Sequence, residues 1–256
     1  MTTAGGSAGD ADYAMIGSGY RQYRRPEPEF ERAILTALGH ARRVVNVGAG
    51  AGSYEPDNRE VTAVEPSATM RAQRRAHQAP AIDASAESLP FADGSFDAAL
   101  STFSIHQWQN LEAGLHEMRR VSRGPVVIMT CDPVQVGKFW LREFAPEVIE
   151  TEARRYPSLK RIQACLGGTV EIETLPIPFA CADGFAEAYF GRPEMFLDHG
   201  ARKANSAWSF VSEDSALRSV ERLRRSLDDG RWDEEHGALR RSSHFEGSLV
   251  LIRAED

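Results

Sequence analysis

The run Val44-Val45-Asn46-Val47-Gly48-Ala49-Gly50-Ala51-Gly52-Ser53-Tyr54-Glu55, followed by Val61-Thr62-Ala63-Val64-Glu65, constrains this chain more than any other stretch. A short apolar run that ends in alternating glycines reads as a buried strand breaking into a sharp turn. Glycine there tolerates positive φ and lets the backbone approach a ligand where a Cβ would collide. The second apolar run reads as the next parallel strand, with Glu65 at its carboxyl end, where a carboxylate accepts both hydroxyls of a ribose. A dinucleotide site needs G-x-G-x-x-G and an acid about twenty residues further on, so that the pyrophosphate rests on a helix N-terminus. Here Gly52 comes one position early, Ser53 stands where the third glycine belongs, and Glu65 follows Gly52 by thirteen residues. The spacing fits an adenosine cofactor without a pyrophosphate.

A second motif lies downstream: Ala84-Ser85-Ala86-Glu87-Ser88-Leu89-Pro90-Phe91, then Asp93-Gly94-Ser95-Phe96-Asp97. With both motifs in this order, the chain resembles the class I S-adenosylmethionine-dependent methyltransferases, in the branch that includes ubiquinone and menaquinone biosynthesis enzymes and small-molecule enzymes of actinobacteria. The likeness is strongest over residues 20–132. It implies S-adenosyl-L-methionine as cofactor and S-adenosyl-L-homocysteine as product. It also implies contacts: Gly48, Ala49, Gly50 and Gly52 flank the methionine and ribose, Glu65 holds the ribose hydroxyls, and Pro66 packs near the adenine. Ala86 offers its backbone N–H to an adenine ring nitrogen, on a loop shared with Ser85 and Glu87. Ser85 departs from the Asp that relatives often carry there, and accepts a hydrogen bond without charge. Ser101 and Thr102 meet the methionine portion or serve as plain strand-end polar residues. Tyr20 and Arg24, ahead of the first helix, grip the methionine carboxylate through a phenolic or charge-assisted hydrogen bond, or belong to a surface arm.

Strand and helix alternate around these motifs. Phe30, Ile34, Leu35 and Leu38 recur at helical spacing between Pro28 and Gly39, which predicts a first helix over 28–38. Ser67 caps a helix running to about His77, residues 97–102 read as a strand behind a turn, 111–121 as a helix, and 126–130 as a strand buried on both faces. This order implies an α/β fold built on a doubly wound parallel sheet. Residues 139–155 and 159–166 read as helices, and 169–175 and 248–253 as strands. The resemblance makes the sheet Rossmann-like and seven-stranded, with those two strands as an antiparallel last pair and a helical cap inserted between them near the C-terminus. The expected organisation is a disordered tail over 1–12, a core over 13–178 and 241–256, and a cap over 179–240.

Charge and composition narrow the partners. A formal net charge of −7 gives no drive for wrapping nucleic acid. The basic clusters Arg71, Arg74, Arg75 and Arg218, Arg222, Arg224, Arg225 read as solvated helix faces. A small-molecule acceptor is therefore expected, with no nucleic-acid or membrane partner and an oligomeric state the residues do not reveal. No apolar run approaches the ~20 residues of a membrane span, and the first residues lack a signal-peptide pattern, so a cytoplasmic location is expected. Three cysteines, Cys131, Cys165 and Cys181, form no CxxC pair, and no histidine or acid cluster has metal-ligand spacing, so no metal is expected.

A sulfonium methyl is already activated, so in-line transfer to an O, N or C atom asks mainly for an acceptor held near attack distance with water excluded. His106, in Ile105-His106-Gln107-Trp108 after the strand at 97–102, is the candidate general base; the other reading is a histidine that packs beside Trp108. Trp108, Tyr189, Phe190 and Trp208 are candidates for the acceptor's walls, with a satellite core as the competing role for the aromatics of the insertion. Within methyl transfer the rival is an RNA or protein acceptor; outside it, a non-catalytic S-adenosylmethionine-binding module or an NAD-dependent oxidoreductase.

Overall fold

Every residue of the apolar run Val126–Cys131 is buried in the computed structural model, which describes residues 20–255. Burial on both faces is what a run without polar alternation requires of a central strand. The tail expected over 1–12 and the side chain of Tyr20 lie outside the described residues.

In chain order the strands are β1 (Arg43–Val47), β2 (Glu60–Val64), β3 (Ala98–Thr102), β4 (Val126–Cys131), β5 (Thr169–Thr174), β6 (Ile177–Pro178), β7 (His244–Phe245) and β8 (Leu249–Glu255). The helices are α1 (Tyr20–Tyr23), α2 (Pro28–Leu38), α3 (Ala68–Ala72), α4 (Leu111–Val121), α5 (Pro133–Val136), α6 (Pro146–Arg155), α7 (Leu159–Leu166), α8 (His199–Lys203), α9 (Glu213–Asp228) and α10 (Arg231–His236). One sheet runs β2-β1-β3-β4-β8-β5, parallel through β4, with β8 antiparallel to both its neighbours. The expected last pair is thus present, with β8 inserted between β4 and β5.

Six strands form this sheet rather than the seven expected. Where the seventh would lie, Ile82 makes a single parallel bridge to Val64, donating to Ala63 O at 2.8 Å and accepting from Glu65 N at 3.0 Å. The next inward-facing donor in that ladder would belong to residue 80, a proline without an N–H, so the pairing stops.

Two helix expectations are also revised. The helix capped by Ser67 ends at Ala72, beyond which Arg74 turns inward, with Nη1 and Nη2 donating to Glu55 at 2.9 and 2.7 Å. Arg74 and Glu55 leave only 5% and 6% of their side chains exposed, so this arginine is not part of a solvated face. The helix expected over 139–155 is broken: a 3₁₀ turn covers Trp140–Glu143 and α6 starts at Pro146. Pro146 has no N–H for a preceding turn and pushes Ala145 out of helical geometry, at φ −132° and ψ 61°.

The sheet carries a core on each face. Val127, Met129 and Cys131 of β4 join Phe30, Ile34 and Leu38 of α2 on one side; Val126 and Ile128 join Leu115 and Met118 of α4 and Ile162 of α7 on the other. The aromatics between β5 and β8 do not make a separate core. Tyr189, Phe190, Phe196, Trp208 and Trp232 are buried in the α2-side core, where Trp140 Nε1 donates to Phe190 O at 2.9 Å and its ring meets Trp232 edge-on at 5.2 Å. Burying a side chain such as Phe196 stabilises the fold by about 2 kcal/mol, so this segment is held to the sheet by the same force that holds the sheet together. The chain reverses direction across the sheet between β1 and β3, and in an open α/β sheet the crevice beyond the strands' carboxyl ends at that point is where ligands bind.

Candidate functional site

Beyond Val47 the chain turns through Gly48, Gly50 and Gly52, at φ of 69°, 53° and 85°. At Gly48 the demand is also steric, since a Cβ would lie 1.8 Å from Ser104 Oγ. The N–H groups of Gly48 and Ala49 both donate to Val64 O, at 2.9 and 3.0 Å, tying the loop to the end of β2. The next residue is Glu65. Its Oε2 accepts from Gly50 N and its Oε1 from Ser67 N, each at 2.8 Å. Burial raises its carboxyl above the ordinary range, against the pull of these two donors. Each oxygen has taken one donor and keeps a lone pair for another. Behind the loop, Glu55 receives Arg74 and Asn46 Nδ2, and Gln78 Nε2 donates to Gly52 O at 2.6 Å, so the turn is braced from below.

Above this floor is a cavity walled by Gly48, Ala49, Gly50, Glu65, Met70, Thr102 and Ser104 on the sheet side. Arg24, Tyr54, Phe103 and Asp183 close the other side. Tyr54 adopts a left-handed φ of 61°, rare outside glycine, and sends its buried hydroxyl to Asp183 Oδ2 at 2.8 Å. Burial and the adjoining Asp183 carboxylate hold that phenol well above its usual range. Arg24 Nε donates to the other oxygen of Asp183, and its guanidinium lies 5.2 Å over the ring of Phe103. Glu27 completes the junction, accepting from Ala182 N at 2.8 Å while its own N–H donates to Tyr54 Oη at 3.2 Å.

A second, smaller cavity adjoins the first and shares Arg24, Phe103 and Gln107 with it. Its remaining walls are His106, Glu152, Tyr156, Phe185, Ala204, Asn205 and Ser206. His106 is 7% exposed, its ring lies 4.5 Å from that of Tyr156, and its Nδ1 is buried without a hydrogen-bond partner. Burial first, and then the positive charges of Arg155 and Arg24, hold the imidazole well below its ordinary pKa, so it is neutral at pH 7. Burial raises the Glu152 carboxyl, whose Oε2 also lacks a hydrogen bond.

Of the residues the sequence points to, the structure gathers Arg24, Gly48, Ala49, Gly50, Glu65 and Thr102 around the first cavity and His106 at the second. Gly52 shapes the turn from behind, next to Gln78. Pro66 turns its carbonyl to Arg71 Nη1, and Ser101 is fully buried with no partner for its hydroxyl. Ser85, Ala86 and Glu87 lie on the loop after Ile82 and line neither cavity: Ala86 packs in the α4-side core, and Glu87 accepts from Asn110 N at 3.2 Å. Trp108 also belongs to that core, its Nε1 donating to Ser104 Oγ at 3.0 Å, and Tyr189, Phe190 and Trp208 to the other. None of these four lines either cavity; they are packed into the two cores instead. Tyr54, Asp183, Glu152, Tyr156 and Asn205 were missed. Tyr54 stood inside the glycine motif, where it could have been found. Asp183 is 129 residues from its Tyr54 partner and carries no motif.

An adenosine cofactor fits the first cavity on this chain's own terms: a cradle that a Cβ at Gly48 would block, and a buried carboxylate with acceptor capacity to spare. Residues 45–128 match the family described as "Methyltransferase domain". Similar proteins include a demethylmenaquinone methyltransferase of Beutenbergia cavernae, 37% identical over 37% of this chain and 42% of its own length. They also include a malonyl-[acyl-carrier protein] O-methyltransferase of Erwinia pyrifoliae, 35% identical over 47% of this chain and 50% of its own length. The chain thus spans half or less of the length of these two relatives. Among solved structures, one from Anabaena variabilis, assigned as a methyltransferase from an antibiotic biosynthesis pathway, is 28% identical over 92% of this chain and all of its own length, with a TM-score of 0.85.

Proposed function

Residues 45–128 match a methyltransferase domain, and from that match we propose that the chain transfers a methyl group from S-adenosylmethionine to an O, N or C atom of a small organic acceptor. The observation that carries this reading is Glu65, held by Gly50 N and Ser67 N at the floor of a glycine-lined cavity. When bound, S-adenosylmethionine supplies a methyl carbon already activated by its sulfonium. The protein's work is then binding, orientation and exclusion of water. Glu65 accepts the ribose hydroxyls, and the glycines leave room for the chain between ribose and sulfur. Arg24, oriented by Asp183, sits across the cavity where a carboxylate would be received. Residues 179–240 act as a cap: Asp183 closes the first cavity, and Phe185, Asn205 and Ser206 the second. A dry enclosure strengthens each electrostatic contact inside it. His106 stands beside the acceptor as a neutral imidazole, able to hydrogen-bond a protic acceptor or to take its proton.

The test is calorimetric titration of S-adenosylmethionine, S-adenosylhomocysteine and NAD into the protein and a Glu65→Ala variant. The expected outcome is micromolar-scale binding of both sulfur nucleosides, about 8 kcal/mol of affinity, weakened at least tenfold in the variant, and none of NAD. Binding of NAD in place of the sulfur nucleosides would move the protein to the oxidoreductases. Binding of S-adenosylmethionine without turnover across an acceptor screen would leave a non-catalytic binding module.

A further inference from the structure

Away from both cavities, three side chains able to ligate a metal converge beside the aromatic core. Glu143 ends the 3₁₀ turn that precedes α6, and Glu235 and His236 end α10. His236 Nε2 lies 3.2 Å from Glu143 Oε2 and 3.9 Å from Glu235 Oε2, and one donor atom from each of the three lies within 4.8 Å of the other two. Glu143 and His236 are 93 residues apart in the chain, so no ligand spacing marks them in the sequence. The imidazole is held in place by packing: its ring lies 5.9 Å from that of Trp140 and 5.5 Å from that of Trp232, and Trp140 is anchored in turn by Phe190 O. Only 17% of the His236 side chain is exposed, whereas the glutamates, at 50% and 62%, reach solvent and can adjust. The guanidiniums nearest in sequence are engaged elsewhere, Arg142 with Glu150 at 3.6 Å, Arg231 with Asp229 at 2.7 Å and Arg240 with Glu194 at 2.6 Å. A proton on His236 Nε2 reaches Glu143 but leaves Glu235 beyond hydrogen-bond distance. A divalent cation would take both carboxylates and the imidazole lone pair together.

We propose that Glu143, Glu235 and His236 bind a zinc ion that ties the turn before α6 to the end of α10. The donor set selects the metal. Calcium and magnesium call for about six or more oxygen ligands, and imidazole is a poor substitute among them. Zinc accepts imidazole and carboxylate together at about 2.0–2.2 Å in tetrahedral geometry, which places donor atoms about 3.3 Å apart. The 3.2 Å between His236 and Glu143 already matches, and Glu235, the most exposed of the three, closes the remaining gap by turning its side chain. A water completes the coordination. Two carboxylates and a neutral imidazole also cancel the ion's double charge. The ion would fasten residues 179–240 to the segment that follows β4, in addition to the junction that Asp183 makes with Tyr54 and Arg24. None of the three ligands lines either cavity, so the site stands apart from the methyl-transfer reading.

The test is calorimetric titration of zinc chloride into the full chain, free of any polyhistidine tag and cleared of metal by chelation, with magnesium and calcium chlorides as controls. Saturable binding of a single zinc ion is expected, and none of magnesium or calcium. Glu143→Gln and His236→Gln should each weaken zinc by about tenfold or more, since loss of a direct ligand costs no less than loss of an outer-shell partner. The two ligands sit on separate elements, and circular dichroism reports whether each variant is folded, so a variant that fails to fold leaves the other to decide. His244→Gln should leave zinc binding unchanged, because His244 and Glu29 approach to 3.3 Å but have no third ligand beside them among the described residues. Cys165→Ser should also leave it unchanged, which separates the site from the partly exposed thiol. Zinc should raise the thermal unfolding midpoint of the unmodified protein and not that of His236→Gln, because an ion held by the folded chain alone stabilises it. Absence of saturable zinc binding, an affinity unchanged in both Glu143→Gln and His236→Gln, binding lost in His244→Gln or Cys165→Ser, or a midpoint that zinc does not raise would each overturn the site.

Discussion

Glu187 shows how a single residue makes the whole chain sensitive to pH. It is 4% exposed, and its Oε2 accepts from both Ser248 N at 2.7 Å and Ser248 Oγ at 2.8 Å. Even so, burial outweighs these donors and pushes its carboxyl up to about 7, from 4.5. The native state therefore holds a proton that the unfolded chain gives up. Stability from this group is full below pH 4.5 and declines as pH rises through about 7, a change of about 3 kcal/mol at the 1.36 kcal/mol that each tenfold step represents. Glu187→Gln keeps an oxygen for Ser248 and does not titrate. Urea unfolding at pH 5 and pH 8 should show a difference in stability about 2 kcal/mol less favourable to the acidic side in the variant than in the unmodified protein, the part of the full change that falls between these two pH values. An identical pH dependence in the two proteins would mean that Glu187 is ionised throughout. Nothing in the sequence distinguishes this glutamate from its neighbours, since its carboxyl is raised by burial, which only the folded chain supplies.

At the scale of elements, α4 follows local rules closely. Asn110 is its N-cap, with Oδ1 accepting from Ala113 N at 3.0 Å; Glu112 lies in the first turn, and Arg119 and Arg120 in the last. Its buried residues Leu111, Leu115 and Met118 recur at helical spacing. Gly114 is there for a different reason: a Cβ would lie 2.4 Å from the ring of Trp108, so the helix makes room for the indole. Asn110→Ala should lower stability by about 1 kcal/mol in thermal or urea unfolding, with nucleoside binding unchanged, because Asn110 lines neither cavity. A parallel loss of nucleoside affinity would show that α4 transmits to the site. Such elements were legible because caps, periodicity and terminal glycines act within a few residues. The helix expected over 139–155 failed because its apolar spacing was read through Pro146, whose effect on Ala145 is equally local and should have prevailed.

Across the whole molecule, the glycine loop and the segment before β8 are joined by Tyr54, Asp183, Arg24 and Glu27. Asp183 takes a phenol on one oxygen and a guanidinium on the other, so the first cavity is assembled only when this segment is docked. Tyr54→Phe and Asp183→Asn should each weaken S-adenosylhomocysteine binding, and in a double-mutant cycle the two should couple by about 1 kcal/mol in unfolding free energy. Additive effects would show that the two groups act independently and that the junction does not bind the halves together. The Arg74–Glu55 pair, 19 residues apart, holds the glycine loop from beneath. The basic cluster containing it read as a solvated surface because charge runs are usually exposed, and only the fold supplies the buried partner.

The strand, glycine turn and following acid, and with them the α/β class and the cofactor's chemistry, were determined by the sequence alone. Those features depend on backbone freedom, periodicity and spacing inside some twenty residues of chain, which the sequence states directly. Tertiary structure alone decided which side chains face the two cavities. It withdrew Trp108, Tyr189, Phe190 and Trp208 into the cores, brought in Tyr54, Asp183, Glu152 and Tyr156, and made His106 a neutral imidazole beside two guanidiniums. Burial and electrostatic field are sums over neighbours distant in sequence. No local pattern encodes them, and they exist once the chain has closed on itself.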